Sequence, residues 1–282
     1  MNYSVIIPAH NEETFIALTL QSLLAQTILP SQVVVVDDNS KDLTSAVVSD
    51  FVQRHSFISL VRNQSDAAHL PGSKVIRAFQ KGFELIKQDY DIIVKLDADL
   101  ILPSDYFEKV IAAFDSDGKV GMAGGFAYIE KNGQWILENL TDKDHIRGAL
   151  KAYRRECFLQ IGGLRPAMGW DTVDELLTKF YGWKVVTLSD LKVKHLKPTG
   201  ANYNRAARYK QGEAFYSLGY GFWITFIASA KLAMLKKKPL LFVDYLRGYL
   251  QAKRDNKNLL VTPEQARFIR KYRLQKMRQK LF

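Results

Sequence analysis

Val33-Val34-Val35-Val36-Asp37-Asp38-Asn39-Ser40 is the stretch that decides the fold. Four consecutive valines suit a strand buried on both faces, because a strand with one wet face alternates apolar and polar residues. The run stops in Asp-Asp-Asn-Ser, residues that favour a turn and a helix entry. The spacing then predicts a helix from Ser40 to about Arg54. Upstream, Ser4–Pro8 is apolar and β-branched, and Asn11–Gln26 carries Ile16, Leu20, Leu23 and Leu24 at helical spacing. Downstream come a short strand over Phe57–Val61, a helix over Lys74–Lys87, a strand over Asp91–Leu96 and a helix behind Pro103-Ser104. Strand–helix alternation with short connections predicts the α/β class, a mostly parallel sheet flanked by helices. Such sheets bind ligands beyond the carboxyl ends of their strands. That singles out Pro8–Glu13, Asp37–Ser40 and Asp97–Asp99.

After Gly118 the pattern changes. Tyr128–Ile136 reads as a hairpin turning at Asn132-Gly133. Arg154–Ile161 is a helical fragment stopped by Gly162-Gly163, and Asp171–Tyr181 is a helix ended by Gly182. The β-rich runs Lys184–Leu188 and Leu191–His195 follow. With 282 residues, 47% of them hydrophobic, the chain can bury a full core, and disorder is excluded as its dominant state. The single cysteine, Cys157, excludes an internal disulfide and a cysteine-ligated zinc site. Met1-Asn2-Tyr3-Ser4 lacks a basic region and a long apolar run, so no signal peptide is expected and the compartment is cytoplasmic.

The strongest chemical signal is Val94-Lys95-Leu96-Asp97-Ala98-Asp99. Residues i and i+2 of an extended strand point to the same side, so both carboxylates can face one ion. Oxygen ligands of this kind suit Mg²⁺ or Mn²⁺ together with substrate phosphates. At the end of the valine strand one aspartate would suffice for capping. A carboxylate here can also accept hydrogen bonds from a nucleobase imide or a ribose hydroxyl. Asn11 and Glu13 suit the start of a helix.

Together, Ile6–Glu13 (IIPAHNEE), Val33–Thr44 (VVVVDDNSKDLT) and Lys95–Leu100 (KLDADL) resemble, in order and spacing, the nucleotide-sugar half of glycosyltransferase family 2. The resemblance covers roughly residues 3–200 and implies a GT-A fold with a Rossmann-like sheet. It implies an inverting transfer from a nucleoside diphosphate sugar, a UDP-sugar by preference, with Mn²⁺ or Mg²⁺ on the diphosphate. By that resemblance Pro8, Glu12 and one of Asp37 and Asp38 line the nucleoside pocket, Asp97 lies near the ribose or the metal, and Asp99 is the principal metal ligand. His195, after the strand Leu191–Lys194, approaches the metal or the diphosphate. Inversion needs a general base, and the family places it at the start of a helix that ends in glycine and an aromatic residue. Counting back from Gly182-Trp183 reaches Asp171, and Asp174 is its rival one turn on. Trp170 stands where the family motif has an acid. Arg205, with Arg208 and Lys210, is a candidate to neutralise the departing diphosphate. Gln211–Phe215 lacks the Gln-x-x-Arg-Trp motif of processive relatives, which points to single addition.

The expected organisation is a transferase domain over 1–200, with a nucleotide-sugar half to about 118 and an acceptor half over 119–200, then a basic helical region over 201–282. Residues 1–190 hold 19 Lys plus Arg against 25 Asp plus Glu, whereas residues 191–282 hold 21 against 4. Such a basic tail reads as a contact with an anionic membrane or a nucleic acid. Tyr220–Leu235 is apolar but contains Lys231, and it is shorter than the ~20 residues a spanning helix needs. An interfacial helix closed by Lys236-Lys237-Lys238 fits better, and Pro263–Phe282 is a second basic helix. The expectation is a peripheral enzyme at the inner face of the plasma membrane, acting on a lipid-linked or envelope-glycan acceptor. A nucleic-acid-binding protein with a degenerate nucleotide fold is the alternative. No recognition helix or aromatic single-strand platform supports it, so no nucleic-acid partner is expected.

Overall fold

The computed structural model describes residues 1–64, 72–87, 89–138, 144–197 and 209–279. Its first layer is β1 (Tyr3–Ala9), β2 (Gln32–Asp38), β3 (Ile58–Asn63) and β4 (Ile92–Leu96), all mutually parallel. Every residue of β1 is buried, and the four valines of β2 have no exposed surface. These strands are covered on both faces, as their continuous apolar runs require. The helices are α1 (Ile16–Leu24), α2 (Thr44–Arg54) and α3 (Ser73–Phe83). Both α1 and α2 begin four or five residues later than their periodicity suggests, because Asn11–Glu13 and Ser40–Leu43 are spent on hydrogen bonds between the two loops.

The remaining strands are β5 (Leu100–Ile101), β6 (Val120–Lys131), β7 (Gln134–Leu137), β8 (Leu150–Arg154) and β9 (Lys184–His195), with α4 (Tyr106–Ser116), α5 (Arg155–Gln160) and α6 (Trp170–Phe180) among them. Among the described residues they form one sheet in the order β3-β2-β1-β4-β8-β6-β9-β5, with β7 paired to β6. β8 runs antiparallel to β4 and β6, and β9 runs parallel to β6. The hairpin β6–β7 turns at Asn132 and Gly133, both at positive φ, as expected. The two β-rich runs of 184–195 are one strand, and its register against β6 shifts between Gly124 and Phe126.

Among the described residues four helices follow: α7 (Lys210–Ser217), α8 (Gly221–Leu235), α9 (Leu240–Arg254) and α10 (Pro263–Gln279). α7 and α9 approach closely through Gly212 and Gly248, where an added Cβ would lie 1.8 Å from the Tyr245 carbonyl oxygen and 2.1 Å from that of Tyr209. Phe215, Leu218, Tyr220, Ile224 and Ile269 join the same hydrophobic core as the sheet. Phe268 of α10 meets Phe180 of α6 edge to face at 5.4 Å. No helix among the described residues is long and apolar enough to cross a membrane.

Candidate functional site

The sheet's strand order reverses between β1 and β4, and the two strands part there. Their pairing runs from Tyr3 opposite Ile92 to Ile6 opposite Lys95 and does not extend to Pro8, which has no N–H to offer. Beyond Pro8 the β1–α1 and β2–α2 loops are knitted together. Ser40 Oγ accepts from the Asn11 amide at 2.9 Å, Asn11 Oδ1 accepts from the Lys41 amide at 2.8 Å, and Glu13 Oε2 accepts from the Leu43 amide at 2.8 Å. Asn11 and Asn39 both hold positive φ in these turns.

The two aspartates at the end of β2 do different work. Asp37 accepts from the Ser40 amide at 3.0 Å and from the Ser45 hydroxyl, so both its oxygens serve the turn into α2. Asp38 is buried, and its Oδ1 accepts from Asn63 Nδ2 at 2.7 Å. Glu12 pairs through Oε1 with Lys197 at 2.9 Å, while its Oε2 is buried without a partner among the described residues. Burial raises the Glu12 pKa against the pull of Lys197, and the charges of Asp99 and Asp97 add to the rise.

Past β4, Asp97 is anchored by its amide to the Ala149 carbonyl at 2.8 Å and forms an ion pair with Lys95. The buried Thr19 hydroxyl donates to the Ala98 carbonyl at 2.8 Å and accepts from the Leu100 amide at 3.0 Å, which fixes the backbone on both sides of Asp99. His195, opposite Leu100 in the β5–β9 ladder, brings Nε2 to 3.5 Å from Asp99 Oδ2. Asp97, Asp99 and His195 each offer a ligand atom within 4.8 Å of the others. Two carboxylates and an imidazole are a donor set that fits a divalent ion of the Mn²⁺ class. Behind His195, Nδ1 lies 3.0 Å from Glu138 Oε2, which Arg147 also meets at 3.1 Å. Burial lowers the His195 pKa, but Asp99 and Glu138 outweigh it and lift the value to about 9. A histidine whose far nitrogen meets a carboxylate is held in one orientation, as metal-ligating histidines usually are. Glu138 and Arg147 gave no sequence signal, since neither belongs to a motif.

The other wall is α6. Trp170 is buried, with Lys95 Nζ 5.3 Å and Lys151 Nζ 5.7 Å from its ring, so an aromatic residue occupies the place of the family's acid and carries two cations. Asp171 and Asp174 are separated by their surroundings. The Asp171 side chain is 37% exposed, and its Oδ2 lies 3.8 Å from His145 Nε2. Burial raises its pKa, but His145, Lys151 and Arg147 overcome that and hold it at about 2. Asp174 is sealed inside. Both of its oxygens accept from Lys151 Nζ at 2.9 Å, Oδ2 also accepts from the Tyr153 hydroxyl at 2.5 Å, and Oδ1 from the Glu175 amide at 2.6 Å. Asp174 stands one turn on from Asp171, as the spacing predicts, but its lone pairs are filled and it is buried, which argues against it as the rival base. Glu175 joins this network through His145 Nδ1 at 3.0 Å and the Ile146 amide at 2.8 Å. Lys151 was legible only as an isolated lysine in the apolar strand β8. Arg205, the candidate for the leaving diphosphate, lies outside the described residues.

The glycosyl transferase family 2 model matches residues 4–163. An uncharacterised glycosyltransferase of Mycoplasma genitalium is 33% identical over 195 residues, which cover 68% of this chain and 57% of that one. A poly-beta-1,6-N-acetyl-D-glucosamine synthase of Staphylococcus epidermidis is 27% identical over 125 residues, 43% of this chain and 27% of its own length. The chain thus spans between roughly a quarter and somewhat over half of these curated relatives. Among solved structures, a mannosyltransferase from Pyrobaculum calidifontis in complex with GDP-Man and Mn²⁺ matches with a TM-score of 0.58 at 17% identity, covering 100% of this chain and 81% of that one. At that identity the likeness is one of fold, the GT-A arrangement of a curled sheet between helices.

Proposed function

The chain belongs to glycosyltransferase family 2, and from that premise we propose that it moves one sugar, with inversion, from a nucleoside diphosphate sugar to a lipid-linked or envelope-glycan acceptor. The observation that carries this reading is the Asp97–Asp99–His195 donor group where β1 and β4 part, with the half-buried Glu12 close enough to feel the charges of both aspartates. In this reading Asp99, with Asp97 and His195, holds Mn²⁺ or Mg²⁺. When bound there, the ion would supply positive charge to the diphosphate. Pro8, Glu12 and Asp38 line the nucleoside pocket, and Asp37 supports the loop that shapes it. Asp171 is the general base. His145 and its neighbouring cations keep it ionised, so it can accept the proton of the acceptor hydroxyl as that oxygen bonds to the anomeric carbon. An aspartate held so low is a weak base, and the transfer is driven by the acidity the hydroxyl gains as the new bond forms. The synthase relative, which is named for a polysaccharide product, supports a glycan acceptor.

The test is nucleoside diphosphate release from a panel of UDP- and GDP-sugars, with and without Mn²⁺, beside RNA retention at about 0.15 M salt. The reading expects Mn²⁺-dependent hydrolysis of at least one donor and no retained RNA. Retained RNA with no donor hydrolysed would overturn it in favour of a nucleic-acid-binding protein.

The reading also has the enzyme resting on an anionic membrane at the cytoplasmic face. On α8, Trp223 is 72% and Met234 78% exposed, and Lys236-Lys237-Lys238 follow at its end. Lysine stems can reach headgroups while apolar neighbours insert.

A further inference from the structure

A cavity of about 550 Å³ lies between α6, α8 and α10, outside the donor site. It is of the size that holds a small ligand. Its floor is apolar, with Leu176, Phe215, Tyr220 and Ile224 buried along it. One end is lined by His145, which meets Asp171 at 3.8 Å, and by Glu175, which is one helical turn from Asp171 and holds the other ring nitrogen of His145. At the other end Ile227 and Leu235 line it while remaining 45% and 66% exposed, so the cavity is continuous with the apolar outer surface of α8. Four cations, Lys179, Lys231, Arg273 and Lys276, contribute to the walls against two carboxylates, Asp144 and Glu175. Asp144 already meets Lys276 at 3.1 Å, and Glu175 is taken by His145 and Lys151. Arg273 stacks its guanidinium 5.3 Å from the Tyr220 ring, and its buried Nε has no acceptor among the described residues.

An apolar passage that starts on an exposed apolar helix, ends beside the candidate base and carries a surplus of positive charge matches one kind of molecule. We propose that this cavity binds the acceptor as a lipid phosphate, with its hydrocarbon chain along α8 and its phosphate on Arg273 and Lys179. The assignment rests on the transferase reading for the word acceptor, but the binding site stands on its own geometry. Burying the chain supplies affinity in proportion to its apolar area. The cations supply selection for a phosphate head over an alcohol, since hydrogen bonds to a charged group are the stronger kind. The cavity's end at His145 and Glu175 leaves a sugar or hydroxyl beyond the phosphate facing Asp171.

The experiment uses the full chain and decyl phosphate below its micelle concentration, with decanol and inorganic phosphate as controls, and measures binding by calorimetry. Decyl phosphate is expected to bind at least about tenfold tighter than either control. Ala228→Trp, which puts an indole into the cavity, should remove that binding. The double variant Arg273→Gln, Lys179→Gln should erase the preference for decyl phosphate over decanol while leaving the melting profile intact, so the test holds even where the tryptophan is not accommodated. Neither variant should alter the binding of the nucleotide-sugar donor. Decyl phosphate no tighter than inorganic phosphate, or a preference that survives the double variant, would overturn the assignment. Mn²⁺-dependent donor hydrolysis without decyl phosphate binding refutes only the cavity. Decyl phosphate binding without any donor hydrolysis keeps the cavity and refutes the transferase reading.

Discussion

The sheet body and the α8–α9 hairpin put the same residue types to opposite uses. In β1 and β2 every large apolar side chain is buried, and a buried lysine of the body, Lys151, has two carboxylates, Asp174 and Glu175, for company. In α8 the arrangement is reversed. Ile224, Thr225, Ser229 and Ala233 face the core, while Phe222, Trp223, Phe226, Met234 and Leu235 remain exposed. Apart from Ile224, the buried side of α8 is built of small and hydroxyl-bearing residues, which lets helices pack closely, and most of its bulk is exposed. Exposed apolar residues gathered on one helix are the kind of surface from which interaction sites are made. The difference separates apolar bulk spent on the core from apolar bulk left exposed.

The largest expected effects lie in the body, where a single carboxylate carries chemistry. Asp99→Ala should lower Mn²⁺-dependent turnover by about 10³-fold, the equivalent of several kcal/mol of charge stabilisation. The melting temperature should hardly move, because the backbone at 98–100 is fixed by Thr19 and not by the Asp99 side chain. Unchanged turnover with Mn²⁺ still required would remove Asp99 as a ligand.

Next come the two aspartates of α6, which the body treats as differently as it treats surface and core. Asp171→Asn should keep donor binding and lose about 10²–10⁴ in transfer, the usual worth of a general base. Asp174→Ala should instead cost about 3–5 kcal/mol in urea unfolding, because it leaves the Lys151 charge buried with half its partners gone. Loss of stability with Asp171→Asn and loss of transfer alone with Asp174→Asn would reverse the two roles.

This division of labour marks how far the sequence could be read. Strands β1, β2 and β4 were legible because their apolar β-branched runs have no competing period. The carboxylates at their ends were legible because a strand's terminus fixes where its next residues point. The first half of β6 was not, since Val120–Gly125 holds three glycines and little β preference, and only its pairing with β8 and β9 makes it a strand. β8 was missed for a similar reason: Lys151 breaks its apolar run, and the Asp174 and Glu175 that accommodate it lie more than twenty residues away. Helical spacing put Asp171 and Asp174 together, yet the contrast between them depends on Lys151, Tyr153 and His145, which come from other elements. The exposed bulk of α8 was foreshadowed by its tryptophan and phenylalanines. Which of its sides faces in depends on α7, α9 and α10.

A matched pair of truncations sets core against surface directly. Ile6→Ala in β1 should destabilise by about 2–5 kcal/mol, the range for emptying a packed core position. Trp223→Ala in α8 should stay within about 0.5 kcal/mol of the parent, as exposed positions do. Its effect should appear in sedimentation with anionic vesicles, as should that of replacing Lys236, Lys237 and Lys238 by Gln. Equal binding to neutral and anionic vesicles, or a large loss of stability with Trp223→Ala, would make α8 an ordinary packing helix.

The smallest effect separates the charges that the body hides from those the hairpin displays. Burial lowers the His145 pKa, but Asp171 and Glu175 outweigh it and raise the value to about 9 from 6.5, with Lys151 opposing them. A folded-state pKa above the unfolded one means that the protonated form favours folding. The contribution is therefore complete below about pH 6.5 and disappears as pH rises through 9. Urea unfolding of the parent should weaken on the order of 1 kcal/mol across that window, a figure discounted for the partly exposed Asp171. Because His195 titrates in the same range, the measurement is the difference between the parent and His145→Asn, which should have the flatter profile. That difference should persist at 1 M salt, since buried pairs are poorly screened. Vesicle binding by the hairpin lysines should fall as the Debye length shrinks from about 10 Å at 0.1 M to about 3 Å at 1 M. A pH profile that His145→Asn leaves unchanged would detach His145 from Asp171 and leave the low pKa of that carboxylate to Lys151 and Arg147 alone.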